Sequence, residues 1–145
     1  MKYLFLLVSV VMTATLALGA DAAPQAAYFP QSKVEAALAK GGTLASASDY
    51  IVLALHRAEP GAAELHETQT DIYYVTKGEA TFVTGGELLG NKVVSPGQRQ
   101  GTGIEGGEVH HLTKGDVVVI PAGVPHWFKA VQHPVSYLLI KVVKP

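Results

Sequence analysis

The sequence predicts an all-β fold, a sandwich or barrel of many short strands. From Tyr50 onward, short stretches alternate apolar and polar residues with a period of two, as strands with one buried face do. Turn signals such as Glu59-Pro60-Gly61 and Lys114-Gly115-Asp116 separate these stretches. No long helical pattern lies between them, which favours packing of sheet on sheet. With 145 residues, 48% hydrophobic and 16% charged, the chain has the size and composition of one globular domain.

The N-terminal segment, residues 1–22, has the features of a secretory signal peptide. Lys2 supplies a positive charge, an apolar run extends from Tyr3 to Leu18, and Ala20-Asp21-Ala22 offers small residues for cleavage. The alternative is an uncleaved membrane anchor, but the run is shorter than the roughly 20 apolar residues that a spanning helix needs. We therefore expect a periplasmic or secreted protein. The chain has no cysteine, so disulfides would not stabilise it in an oxidising compartment.

Residues 23–49 are predicted to form a lead-in segment that contains one short helix. Ser32 and Glu35 have the spacing of a capping box, and Gly41-Gly42 is a stop signal. A narrow apolar stripe between them is formed by Val34, Ala37 and Leu38. We expect this helix to pack on the outside of the β-domain and to carry no chemistry.

The β-domain is predicted to span residues 50–143. Its strands are expected near 50–57, 63–67, 71–77, 79–84, 109–113, 117–121, 125–131 and 135–143. The segment 85–108 contains eight glycines and Pro96, so an irregular excursion is expected there. Long segments of this kind inside a domain are typical of lids, binding loops or disordered insertions.

Two stretches carry polar residues and turn residues at regular spacings. In residues 61–78, GAAELHETQTDIYYVTKG, the pattern is Gly, two residues, Glu-x-His, four residues, Asp, six residues, Gly. In residues 115–128, GDVVVIPAGVPHWF, it is Gly, five residues, Pro-x-Gly-x-x-His. This pair resembles the two signature motifs of the cupin family, whose members are small jelly-roll β-barrels. The resemblance covers roughly residues 50–143, and the second motif is its more specific part.

The resemblance implies a set of metal ligands. The first cupin motif usually carries His-x-His, four residues and Glu, and the second ends on His. On this frame Glu64 takes the first His position, His66 the second, Asp71 the Glu position and His126 the last. The spacing is kept, but two ligand types differ, and Ala130 stands where Asn is common. The implied fold is a single double-stranded β-helix, or jelly-roll barrel, behind a short N-terminal helix.

Strand geometry gives an independent reason for these spacings. Alternate side chains of a strand share one face, so Glu64 projects with His66, and Asp71 projects with Tyr73 on the next strand. If these faces and that of His126 line one barrel interior, two carboxylates and two imidazoles lose their water together. A divalent metal ion would compensate that cost. The alternative is an unmetallated barrel in which the carboxylates hydrogen-bond to each other or to His66.

The donor types narrow the identity of the metal. Two imidazoles with one or two carboxylates suit Fe(II), Mn(II), Co(II), Ni(II) or Zn(II), and the lack of a thiolate disfavours a closed structural zinc site. The charge of Glu64 favours Mn(II) or Fe(II) and disfavours an anionic substrate bound directly at the metal. Asp71 is short, so it reaches the metal only if its strand moves inward, and otherwise it orients His66 or His126. Glu64 and Tyr73 are the candidate catalytic residues, Tyr73 because its hydroxyl would lie near the metal.

The remaining histidines are weaker candidates. His56 lies in an apolar run and is expected in the core or the pocket. His110 and His111 are adjacent and face opposite sides of a strand, and a surface position is expected for both. His133 precedes a proline and is expected in an exposed hairpin turn.

Parity also sorts the other residues near the motifs. Phe128 has inward parity, whereas Tyr74 and Trp127 have outward parity, which fits packing between sheets or between the subunits of a homodimer. Arg99 is expected to be a solvated arginine of the glycine-rich segment. Lys and Arg are scattered, so the chain lacks the basic stripe of a nucleic-acid binder, and its expected partner is a small molecule or another protein.

Two functions of different class follow from these observations. The first is a secreted or periplasmic metal-dependent enzyme that acts on a small oxygenated metabolite. Dioxygenase, decarboxylase, lyase and isomerase reactions all occur on the cupin fold, and the fold does not choose among them. The second is a non-catalytic module that binds a carbohydrate or another small molecule. In either case, no association with a membrane is expected after cleavage of the signal peptide.

Overall fold

The computed structural model describes residues 25–143, and the predicted signal peptide, residues 1–22, lies outside them. In this part of the chain one helix, α1 (Gln31–Lys40), precedes the strands, and no helix is long and apolar enough to cross a membrane. The strands are β1 (Gly42–Ser46), β2 (Tyr50–Arg57), β3 (Ala63–His66), β4 (Gln69–Thr84), β5 (Glu87–Leu89), β6 (Lys92–Ser95), β7 (Gln98–Gly101), β8 (Gly103–Glu105), β9 (Glu108–Leu112), β10 (Val117–Ile120) and β11 (His126–Val143). The predicted all-β class with a short N-terminal helix is confirmed.

The helix forms where it was predicted, but its start differs from the prediction. Pro30 is the N-cap residue, and no side chain caps the helix. The predicted capping box is wrong because Ser32 already lies inside the helix, and Glu35 instead accepts a hydrogen bond from Gln31, one turn earlier, at 2.7 Å. The predicted end is confirmed, since Gly41 follows the last turn with a φ of 75° that favours glycine.

Two long strands organise the main sheet. β4 and β11 are antiparallel over nearly their whole length, from the pair Gln69 and Val143 to the pair Thr84 and His126. β11 also pairs with β2 and β3, and β4 pairs on its other edge with β9 and β10. The sheet continues from β3 through β7 to β6, and β1 extends it beyond β2. Register shifts along the long pair allow both strands to bend.

The bending of β11 closes the sheet around a core. Phe128 and Tyr137 belong to this one strand, yet their rings stack with centroids 5.3 Å apart. A straight strand rises about 3.3 Å per residue, so β11 must turn back over the core between these two positions. The buried cluster around them contains Tyr73, Val75, Ala80, Phe82, Leu112, Ile120, Phe128, Val135, Tyr137 and Leu139.

Two predicted turns are wrong, and both lie at this bend. The breaks expected at Gly78 and at His133 fall inside β4 and β11, where His133 pairs with Glu79 across the strands. Gly78 has a φ of 83°, and a Cβ atom there would lie 2.1 Å from the carbonyl oxygen of Pro134. The glycine therefore permits a sharp bend and a close approach of the strands, and the chain does not leave the sheet.

The glycine-rich segment 85–108 is more regular than predicted. It contains four short strands and the start of β9, so the expected irregular excursion is wrong. β5 pairs with β8, while β6 and β7 extend the main sheet from β3. Glycines with positive φ stand at the connections between these strands. The number of glycines in the segment is therefore as high as in a loop, although the segment is mostly sheet. β1 was not predicted, because its residues carry no strong strand pattern.

Candidate metal centre

Strand pairing brings together the residues of the two sequence motifs. Glu64 of β3 and His126 of β11 are direct cross-strand partners. The N–H of Gly123, in the turn before β11, donates to the carbonyl of His66 at 2.7 Å and attaches the second motif to the first. One donor atom each from Glu64, His66 and His126 lies within 4.8 Å of the others. These three residues therefore form a group that can hold a metal ion.

His126 presents a free lone pair to this group. Its Nδ1 donates to the carbonyl of Val124 at 3.2 Å, so the proton stays on Nδ1 and the lone pair is on Nε2. The side chain is 3% exposed, and Nε2 is buried without a hydrogen-bond partner in the part of the chain that the structure describes. Burial lowers the pKa of His126 and outweighs the opposite effects of the Val124 carbonyl and of Asp71, so the imidazole is neutral at neutral pH.

Two glutamines of β7 orient the first motif. Gln98 accepts a hydrogen bond from Nδ1 of His66 with its Oε1 atom, which directs Nε2 of His66 to the interior. The amide of Gln98 is itself held by Gln69, to which it donates at 3.4 Å. Gln100 donates to Oε1 of Glu64 at 3.3 Å. Sequence reasoning missed both glutamines because they lie in the segment that was expected to be irregular.

Asp71 lies in the same cluster but is held by a cation of the chain. It is 1% exposed, and its Oδ2 lies 3.3 Å from Nε2 of His66 and 3.7 Å from Nε2 of His126. Lys141 of β11 donates to both carboxylate oxygens, at 2.9 and 2.8 Å, and its Nζ lies 3.1 Å from Nε2 of His66. Burial alone would raise the pKa of Asp71, but the close contacts with His66 and Lys141 and the charge of Lys141 lower it.

Lys141 was not singled out from the sequence, although a signal was present. Val135, Tyr137 and Leu139 are buried alternate residues of β11, and Lys141 is the next position on the same face. A lysine at the end of an inward apolar series is unusual, since lysine is almost never buried unless it is paired. Its partner is Asp71, so parity could have placed both residues on the inward face, although it does not give the register that pairs them.

Tyr73, the second candidate catalytic residue, lies at the wall of the site. Its hydroxyl donates weakly to Oδ2 of Asp71 at 3.4 Å, and its ring packs against Phe82 and Phe128. Burial, and then the charge of Asp71, raise the pKa of Tyr73 well above its ordinary value. The phenol therefore remains protonated at neutral pH and acts as a hydrogen-bond donor.

The other histidines lie outside this cluster. His56 was expected in the core or the pocket, but it is exposed, because its parity on β2 directs it outward to Ser136, whose Oγ is 3.0 Å from Nδ1. His110 is half-buried and bonds to Thr84 at 2.8 Å, so its expected surface position is only partly correct. His111 and His133 are exposed, as expected.

The remaining residues are placed as follows. Phe128 is buried, as its parity predicts, and Tyr74 is 43% exposed. Trp127 is half-buried and donates through Nε1 to the carbonyl of Gly61 at 2.8 Å, and both residues line the cavity beside the cluster. Arg99 lies in β7 and pairs with Glu67 at 2.6 Å on the surface.

Comparison with known proteins identifies the family. Residues 50–145 match the family Cupin. The chain belongs to the cupin family. A protein from Bacillus halodurans has a similar structure, with a TM-score of 0.60 and 12% identity over 85% of both chains. A cupin superfamily protein from Desulfitobacterium hafniense has a TM-score of 0.50 and 16% identity over 72% of this chain and 76% of its own. At these identities the likeness concerns the fold alone, and no curated protein sequence matches the chain.

The residues of this cupin fit a divalent metal ion. Two imidazoles, together with the carboxylate of Glu64, are the donor set of a two-histidine, one-carboxylate site. The orphaned Nε2 of His126 is the specific sign, because a buried nitrogen of this kind normally has a partner. A metal bound to His66 would use the lone pair of Nε2 that Lys141 contacts, so the lysine and the metal would compete for this one nitrogen.

Proposed function

We propose that this cupin binds one divalent metal ion through Glu64, His66 and His126 and acts as an enzyme on a small oxygenated metabolite. The observation that carries the proposal is the buried, unpartnered Nε2 of His126, which faces the donors of Glu64 and His66. Fe(II), Mn(II), Co(II), Ni(II) and Zn(II) all suit this donor set. A cavity of about 240 Å³ adjoins the group and offers space for a small ligand.

The chain supplies distinct groups around such a centre. The metal, when bound, would polarise an oxygen of the substrate as a Lewis acid. Tyr73 remains protonated and can redirect its weak hydrogen bond from Asp71 to an oxygen in the cavity. Glu64 is half-buried at the cavity wall, and where it is not firmly coordinated to the metal it can accept a proton from a substrate that lies beside it. Dioxygenase, decarboxylase, lyase and isomerase reactions are the candidate reaction types, and a substrate screen would assign one.

Elemental mass spectrometry of protein purified without chelator tests the metal site. About one equivalent of Fe, Mn, Co, Ni or Zn is expected in the parent protein, and almost none in the His66→Ala/His126→Ala double variant. The matched control is His111→Ala/His133→Ala, which removes two exposed imidazoles and should keep the metal. A parent protein that takes up no metal, even after incubation with each ion, would remove the basis of the enzyme proposal.

The second candidate is a binding module that works without a metal. The Asp71–Lys141 pair favours it, because this pair already neutralises the most buried carboxylate of the site. Metal-free protein that binds its ligand as tightly as metal-loaded protein would support the module. Loss of turnover together with metal content in the double variant would support the enzyme.

Secretion and self-association also belong to the proposal. The features of residues 1–22 support export, and mass spectrometry of the mature protein from the cell envelope or medium should find a start after Ala22.

The outward pair Tyr74 and Val117, with Val119 nearby, supports a homodimer, since these residues are 43%, 60% and 58% exposed. Sedimentation analysis of the parent and of Val117→Lys/Val119→Lys tests it.

A further inference from the structure

Two strands each place one cationic side chain at the cavity beside the proposed metal site. On β2, Leu53, Leu55 and Arg57 line the cavity, and on β11, Tyr137, Leu139 and Lys141 do the same. In each strand these are alternate positions, so the charged residue ends an inward apolar series. Lys141 donates hydrogen bonds to the carboxylate of Asp71. Arg57 instead lies over the ring of Phe128.

Arg57 carries a donor that the described residues 25–143 do not use. Its Nε is buried and has no hydrogen-bond partner among them, although buried polar atoms normally have one. The guanidinium lies over the ring of Phe128, with Cζ 4.9 Å from the centroid, a favourable cation–π contact. Gly61 leaves space for it, because a Cβ atom at this position would lie 2.6 Å from Nη1 of Arg57. Gly61 of the first motif thus makes room for Arg57, whose Nε donor has no acceptor among the described residues.

The charges of the cavity favour an anion once a metal is present. Without a metal, the carboxylates of Glu64 and Asp71 are balanced by Arg57 and Lys141. A divalent ion held by neutral imidazoles and Glu64 adds two positive charges to this balanced set. In a partly buried cavity such an excess is unfavourable unless an anion compensates it. In the sequence, where the two cations were not recognised, Glu64 disfavoured only an anion bound directly at the metal, and an anion held by Arg57 is a different case.

The rest of the wall is apolar and the space is small. Leu53, Leu55, Leu139 and Phe128 line the cavity between the cations. Its volume of about 240 Å³ corresponds to about eight water molecules at roughly 30 Å³ each. The site therefore suits one anionic group attached to a short apolar body.

We propose that the ligand of this barrel is a small organic carboxylate, whose carboxylate accepts hydrogen bonds from Arg57 and whose apolar part contacts the leucines. The proposal rests on the proposed function, because the metal provides the positive excess. An arginine guanidinium matches the geometry of a carboxylate, and a buried charge-assisted hydrogen bond discriminates strongly against a neutral analogue. Arg57 is thus the residue that determines specificity for an acid.

Calorimetric titration of the full chain, metal-free and loaded with Mn(II), tests this assignment with isovalerate, its neutral isostere isovaleramide and inorganic phosphate. Isovalerate is expected to bind at least about tenfold more tightly than isovaleramide, with the larger preference in loaded protein. Arg57→Gln should remove the preference and leave the metal content unchanged. Arg99→Gln, a change in an exposed arginine, is the control and should keep it.

A second variant separates the position of the guanidinium from its charge. Gly61→Ala forces the guanidinium away and keeps the arginine, and the same loss of preference is expected. Equal binding of isovalerate and isovaleramide, tighter binding of phosphate, or a preference that survives both variants would overturn the assignment. Metal uptake without acid preference would refute this inference alone. An Arg57-dependent acid preference in a protein that takes up no metal would refute the proposed function and keep Arg57 as the acid-binding residue.

Discussion

Lys141 and Asp71 are direct partners across β11 and β4, and the lysine Nζ donates to both oxygens of the carboxylate at 2.9 and 2.8 Å. The carboxylate is 1% exposed and the lysine side chain 16%. A third contact of Nζ, to Nε2 of His66 at 3.1 Å, uses the last donor of the ammonium. The interior of the barrel therefore contains a cation of its own at the edge of the proposed metal site.

Removal of that cation should destabilise the metal-free protein. Lys141→Met leaves Asp71 as a buried charge without the lysine as counter-charge, and the free energy of unfolding is expected to fall by about 3–5 kcal/mol. Urea denaturation at neutral pH with a chelator measures it. The control Arg99→Met breaks an exposed pair, whose loss should cost less than about 1 kcal/mol. Recovery of stability in Asp71→Asn/Lys141→Met would assign the loss to the unpaired charge, and equal losses in the two single variants would contradict it.

A metal ion should compensate for the missing lysine. In Lys141→Met the lone pair of His66 is released and Asp71 faces the site without a counter-charge, so a divalent ion gains both an acceptor and an attraction. Thermal unfolding with and without Zn(II) should show a larger rise of the midpoint temperature in this variant than in the parent. His66→Ala/Lys141→Met is the control and should lose the extra rise. An equal rise in parent and variant would show that Lys141 does not compete with the metal.

The glutamine behind His66 should affect metal affinity without being a ligand. Gln98→Leu removes the acceptor that fixes Nδ1 of His66, and metal affinity is expected to fall about 10–100-fold. Competition with a chromophoric chelator measures the affinity. Gln132→Leu, which removes an exposed hydrogen bond to Thr81, is the matched control and should have no effect. Unchanged affinity in Gln98→Leu would mean that packing alone orients the imidazole.

The family motifs allowed prediction of the fold because they consist of turn residues at fixed distances on a strand pattern. Such a pattern fixes which faces point inward, and parity alone placed Glu64, His66 and Asp71 on the side of the cavity. Parity would also have placed Arg57 and Lys141 there. They were missed because a cation in a barrel interior is understood only once its partner is known, and strand register, which pairs Lys141 with Asp71, is not written in local sequence.

The errors in the predicted strand boundaries have a related cause. Glycines were interpreted as the ends of strands, but Gly78 lies within β4, where the strand bends against Pro134. Local residue preferences do not distinguish a turn that reverses the chain from a bulge that bends it, because both require a positive φ. Gln98 and Gln100 became visible only through the pairing of β7 with β3, a contact between distant segments.

The close approach at Gly78 predicts a large difference between two glycines with nearly the same φ. Gly78 has a φ of 83° and Gly123 one of 84°, but a Cβ atom would meet the Pro134 carbonyl oxygen at 2.1 Å in the first case and nothing within 4 Å in the second. Gly123→Ala should cost about 1–2 kcal/mol, the strain of the left-handed conformation. Gly78→Ala should cost clearly more in the same urea denaturation assay. Similar costs would show that the strands can separate at the bend without loss.

Alkaline pH should unfold the protein through its buried phenols. Burial raises the pKa of Tyr137 from its ordinary value of 10.0, and the neighbouring Arg57 offsets only part of this effect. Above pH 10.0 the unfolded chain therefore binds fewer protons at this residue than the folded chain, and the free energy of unfolding decreases as pH rises. The contribution of Tyr137 is complete below that pH and is lost as pH rises through the pKa of the folded state.

Urea denaturation at several alkaline pH values measures the slope of the free energy of unfolding against pH. This slope should be smaller in Tyr137→Phe than in the parent, with Tyr28→Phe, at an 85% exposed tyrosine, as the control. If Tyr137→Phe has the slope of the parent, the phenol ionises equally easily in both states, and its hydroxyl must reach water in the cavity.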